Sequence, residues 1–127
     1  MDDDVRDALE RGRPLIDITT TGRRTGEPRR IEIVYHRIGG RIYISGSPVA
    51  ERTRGWLLNL TDDRHFTFHL KGRVTADLPA TAREITDEPE RRAIAEWIKA
   101  NAWPNQDVDA MTAWAPLIEV TLDELAA

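Results

Sequence analysis

Residues 30–47 read RIEIVYHRIGGRIYISGS. The first half alternates strictly: Ile31, Ile33 and Tyr35 fall on one face of an extended chain, and Glu32, Val34 and His36 on the other. Gly39-Gly40 then supplies the positive-φ residues that a tight hairpin turn needs, and RIYISGS returns as the partner strand. A hairpin commits this part of the chain to antiparallel pairing, and the remaining elements can be laid out from it.

Upstream, Ile16, Ile18 and Thr20 alternate with Asp17 and Thr19, which predicts a first strand. Gly22, Gly26 and Pro28 punctuate the loop between that strand and the hairpin. Residues 2–11 predict a short charged helix that ends near Gly12, with Pro14 beyond it. Downstream, residues 53–61 (TRGWLLNLT) predict one or two helical turns packed through Trp56, Leu57 and Leu60. In HFTFHLKGRVTADL, Phe66, Phe68 and Leu70 alternate with His65, Thr67 and His69; Lys71-Gly72 marks a turn or bulge, and a further strand runs towards Pro79. Thr86 or Asp87 caps a helix whose first turn accommodates Pro89 and whose buried face carries Ile94, Trp97 and Ile98. NAWPNQDVD then reads as a loop, and Ile118, Val120 and Leu122 predict a closing strand.

The expected organisation is one domain over 1–127: a helical segment at 1–14, hairpins and loops at 15–78, a helix at 87–100 and a final strand at 117–122. No crossover helices separate the early strands, so a doubly wound parallel sheet is excluded. The class is mainly β with α additions, an antiparallel barrel.

Composition narrows the function. With 127 residues, 40% of them hydrophobic and 31% charged, the chain can bury one core. MDDDVRDALERGRP has no apolar signal-peptide core, and no apolar run approaches the roughly 20 residues that span a bilayer. A cytoplasmic protein without an integral membrane segment is therefore expected. The absence of cysteine removes disulfides and thiolate metal sites. His65 and His69 would share a strand face, but no acidic or thiol partner is evident, so no metal is expected. A net charge of −4 argues against nucleic acid as a partner.

Against that acidity, residues 19–30 (TTTGRRTGEPRR) hold Arg23, Arg24, Arg29 and Arg30 against Glu27, a local charge of +3. Glycines that turn the backbone, flanked by guanidinium forks and the Thr25 hydroxyl, make a nest suited to phosphate or carboxylate. A solvated turn between strands has the same composition. The Lys-Ser/Thr ending of a phosphate-binding Walker loop is missing.

T-x-GRRTGEPRR followed by IEIVYHRIGGRIYISGS and WLLNL resembles the deazaflavin-dependent nitroreductase family over roughly residues 15–76. The resemblance implies a split β-barrel, of the kind that also binds flavin mononucleotide (FMN). It implies an oxidoreductase that uses reduced coenzyme F420 to deliver a hydride to a quinone, nitro or other activated small-molecule acceptor. By position, Gly22, Arg23, Arg24, Thr25 and Gly26, assisted by Arg29 and Arg30, would hold the cofactor's phosphate and acidic tail. Ser45, Gly46 and Ser47 would let its flat ring approach the backbone, and Trp56 belongs to the adjoining helix, where Asn59 also matches. Family members resemble Ser-Lys-Gly-Gly after the third strand; this chain reads SGSPVAERTRGW, and Arg52 or Arg54 would supply the comparable charge. Tyr35, His36 and Tyr43, on the hairpin, are the candidate proton donors. Residues 103–116, with Trp103 and Trp114, fit either an acceptor pocket or simple packing. Pairing into homodimers is expected by analogy with other split barrels. The alternatives are an FMN- or heme-binding barrel and a non-catalytic cofactor-binding module.

Overall fold

The computed structural model describes residues 2–11, 15–49 and 54–126. In chain order the elements are α1 (Asp3–Arg11), β1 (Leu15–Thr21), β2 (Pro28–Ile38), β3 (Arg41–Ser45), α2 (Gly55–Asp62), β4 (His65–Leu70), β5 (Ala76–Glu84), α3 (Glu88–Asn101), α4 (Val108–Trp114), β6 (Leu117–Leu122) and α5 (Asp123–Ala126). All strand pairs are antiparallel, and the sheet closes in the order β1-β2-β3-β6-β5-β4. This is the mainly β barrel with helical additions that the strand pattern predicts.

The quoted hairpin organises the closure. β2 is 11 residues long and serves two neighbours: its first half pairs with β1 from Pro28 to Val34, and its second half with β3 from Val34 to Ile38. Gly39 and Gly40 take φ values of 56° and 80°, as a two-residue hairpin turn of this hand requires. Ile33 and Tyr35 face the barrel interior with Ile16, Ile18, Ile42, Ile44 and Phe68, and α1 adds Val5 and Leu9 to that core.

The opposite face of the hairpin is buried as well. Tyr43 and Leu117 pack outside the barrel against Ile94, Ala95 and Ile98 of α3 and Met111 of α4. Period-two alternation cannot announce this second core, because its partners lie more than fifty residues downstream.

Two boundaries differ from expectation. β5 continues past Pro79 to Glu84, because Pro79 lies before the β6 pairing begins at Ala80 and so interrupts no second ladder. The stretch expected as a loop up to residue 109 ends earlier, since Val108 already opens α4, capped by the Asp107 carboxylate accepting from the Ala110 N–H at 3.1 Å. Arg91 of α3 holds the far end of α4, donating to the carbonyls of Thr112 and Ala115, each at 2.7 Å, of Met111 at 3.3 Å, and of Ile85 at 2.8 Å.

Candidate functional site

A cleft of about 890 Å³ opens between the β1–β2 loop, the first half of β2, the end of β3 and the start of α2, with Trp103 of the α3–α4 loop on its rim. Each wall has an identifiable cause.

The β1–β2 loop is braced internally. The Gly22 N–H donates to the Glu27 carbonyl at 2.8 Å, the Gly26 N–H to the Gly22 carbonyl at 2.8 Å, and the Glu27 N–H to Thr25 Oγ1 at 3.2 Å. Gly26 sits at φ 72°, and a Cβ on Gly22 would come within 2.9 Å of Thr25 Oγ1 and 3.1 Å of the Glu27 carbonyl. Both glycines are therefore required by the shape of the loop. Asn59 of α2 clips the loop to the barrel: its buried side chain accepts from the Arg23 N–H at 3.1 Å and donates to Thr20 Oγ1 at 3.0 Å.

Gly22, Arg23, Arg24, Thr25 and Arg29 all line the cleft. Arg23, Arg24 and Arg29 are exposed, and among the described residues none forms an ion pair. Arg30 and Gly26 stand elsewhere. Neighbours on a strand point to opposite faces, and Arg30 is paired with Asp17 at 2.9 Å. Gly26 borders a smaller recess beside Thr19–Thr21. Lys71 bridges Asp17, at 2.8 Å, to Glu32, so the Glu32 carboxylate that lines the cleft is met by a cation. Lys71 first, then Arg30, holds the Asp17 carboxyl below its ordinary range.

The other end of the cleft is made of small residues. Ser45, Gly46 and Ser47 line it together with Arg54, Gly55 and Trp56. Gly46 donates its N–H to the Pro116 carbonyl at 3.2 Å, and a Cβ there would press on the Pro116 ring at 3.2 Å. Arg54 donates to the Ser47 carbonyl, which places its guanidinium beside this segment. Arg52 lies outside the described residues.

None of the three proton-donor candidates lines the cleft. Tyr35 is in the barrel core, its hydroxyl donating to the Leu9 carbonyl at 3.5 Å, and burial pushes its phenol above the ordinary range. Tyr43 belongs to the second core. His36 is buried behind the wall, its Nε2 2.9 Å from Ser45 Oγ, and burial pushes its imidazole down to about 4. His69 lies 2.6 Å from Thr19 Oγ1 through Nε2 and 2.7 Å from Asp77 through Nδ1, while His65 is exposed. Trp103, whose sequence context fits either a pocket or packing, lines the cleft, and so does Asn59, which the sequence does not mark as a binding residue. The signal for Asn59 is a lone polar residue within the apolar run WLLNL.

A closed six-stranded antiparallel barrel in this strand order, with helical additions, defines the fold class as a split barrel. The chain belongs to the F420H(2)-dependent quinone reductase family, whose model matches residues 4–123. Membership makes it an oxidoreductase that draws on coenzyme F420. Solved structures share the fold at low identity. A conserved hypothetical protein from Mycobacterium tuberculosis is 17% identical with a TM-score of 0.71, over 97% of this chain and 81% of that one. An F420-H2 dependent reductase, FDR-A, is 19% identical with a TM-score of 0.59, over 87% and 96%. A Clostridium acetobutylicum protein related to general stress protein 26, of the pyridoxine phosphate oxidase family, is 10% identical with a TM-score of 0.68, over 94% and 82%. Among the described residues no helix is long and apolar enough to cross a membrane.

Proposed function

We propose that the cleft holds reduced F420 and presents it to a quinone-type acceptor. The observation that carries this is the pairing, in one cleft, of Arg23, Arg24 and Arg29 with the small-residue segment Ser45–Ser47. The donor set fits the group. Guanidinium forks suit a phosphodiester and glutamate carboxylates, and the braced glycine loop lets backbone N–H groups approach an anion. Ser45, Gly46 and Ser47 leave room for a flat ring against the backbone, and Arg54 places a positive charge beside them.

When bound, the deazaflavin supplies the hydride. The chain's own residues bind and orient: Arg23, Arg24 and Arg29 anchor the tail, while Trp56 and Trp103 limit water around the ring. Among the described residues, the hydroxyls of Thr25, Ser45 and Ser47 line the cleft and can relay a solvent proton to the reduced acceptor.

Mixing the purified protein with reduced F420 and a soluble quinone tests the proposal. The expected result is quinone-dependent return of the oxidised cofactor's visible absorbance. A protein that purifies yellow with FMN and leaves reduced F420 untouched would assign the cleft to a flavin instead.

A further inference from the structure

His36 touches two walls of the cleft without reaching its interior. Its Nε2 lies 2.9 Å from the Oγ of Ser45, which lines the cleft from the end of β3. Its ring meets that of Trp103, which lines the cleft from the α3–α4 loop, edge-on with centroids 5.7 Å apart and an interplanar angle of 85°. Trp97 of α3 closes the other side at 5.9 Å and 72°. His36 and Ser45 are 4% and 2% exposed, so water does not compete for their contact.

Packing alone does not call for a histidine here. A polar ring buried between two indoles costs free energy unless it is hydrogen-bonded, and an aliphatic side chain would avoid that cost. The hydrogen bond has a definite effect on its partner. A serine hydroxyl is a free rotor with one donor and two acceptor positions, and a fixed neighbour selects which of them faces outward. The same imidazole packs edge-on against the Trp103 indole on the other wall.

We propose that His36 is a positioning residue of the cleft, fixing the Ser45 hydroxyl and the Trp103 indole as one unit so that a bound ring meets a preset arrangement on both walls. Burial keeps the imidazole neutral, so it adds no charge behind the ring. The role of the cleft as an F420 site is the reading on which this inference rests.

The test uses His36→Leu, Ser45→Ala, their combination, and His36→Gln, which keeps a hydrogen-bonding amide near the Nε2 position. F420 dissociation constants should rise about tenfold in each of the first two, by no more than about tenfold in the double variant, and recover to within about threefold in His36→Gln. Losses that multiply in the double variant, or a His36→Leu protein that binds F420 as the wild type does, would overturn the inference. A second readout needs no cofactor: the indole N–H resonance of Trp103, assigned with Trp103→Phe, should shift in both His36→Leu and Ser45→Ala. A Trp103 resonance indifferent to Ser45→Ala would also overturn it. Failure of the wild type itself to bind F420 contradicts the proposed function, and the indole resonance then decides the role of His36. Circular dichroism melting confirms that each variant is folded.

Discussion

The side chain of Asn59 accepts the backbone N–H of Arg23 at 3.1 Å while donating to Thr20 Oγ1 at 3.0 Å. One buried amide thus joins α2, β1 and the arginine loop. Asn59→Ala leaves the Arg23 N–H and the Thr20 hydroxyl without this partner, and stability should fall by about 1–3 kcal/mol. F420 affinity should fall as well, because the loop loses its anchor to the barrel. Thermal melting and cofactor titration check the two effects separately.

Arg29 and Arg30 are adjacent in sequence and divided in space. Arg29 lines the cleft, whereas Arg30 is paired with Asp17 outside it. Arg29→Ala should weaken F420 binding several-fold, by about 3 to 10 times, while Arg30→Ala stays within about twofold. The Arg29 contribution should also shrink with added salt, since that guanidinium is exposed. Titrations at two ionic strengths measure both.

Burial lowers the His36 imidazole from its ordinary value of 6.5 to about 4 in the folded protein. The unfolded chain therefore binds more protons between those values, and folding becomes less favourable as pH falls through that window. The stability present above pH 6.5 is lost progressively down to pH 4, by an amount on the order of 3 kcal/mol. His36→Leu should flatten this part of the profile. Urea unfolding at several pH values gives the comparison.

Arg91 satisfies the Thr112 and Ala115 carbonyls at the end of α4 and adds a second donor to the Met111 carbonyl, which already accepts the Ala115 N–H at 3.1 Å. Arg91→Met keeps much of the side-chain volume and removes every donor, so a loss of about 2–4 kcal/mol is expected, visible as a lowered denaturation midpoint.

These contacts separate what the sequence could tell from what it could not. The β2–β3 hairpin and the arginine loop were legible because alternation and turn glycines are local signals, readable within about a dozen residues. The helix at Val108–Trp114 was not, because it spans two turns and its end is held by Arg91, seventeen residues before it begins. His36 was legible as a strand residue facing away from Tyr35. Its place between Trp97 and Trp103 depends on how α3 lies across the barrel, which no local pattern encodes. The separation of Arg29 from Arg30 follows from the strand period alone and could have been drawn from the alternation.

The central claim is that the arginine loop grips the acidic tail of F420. Titrating F420 and FMN into the wild type and into the Arg23→Ala/Arg24→Ala double variant tests it most directly. The wild type should bind F420 more tightly than FMN, and the double variant should lose about tenfold or more of its F420 affinity. An unchanged F420 dissociation constant in a folded double variant, or a wild type that prefers FMN, would contradict it.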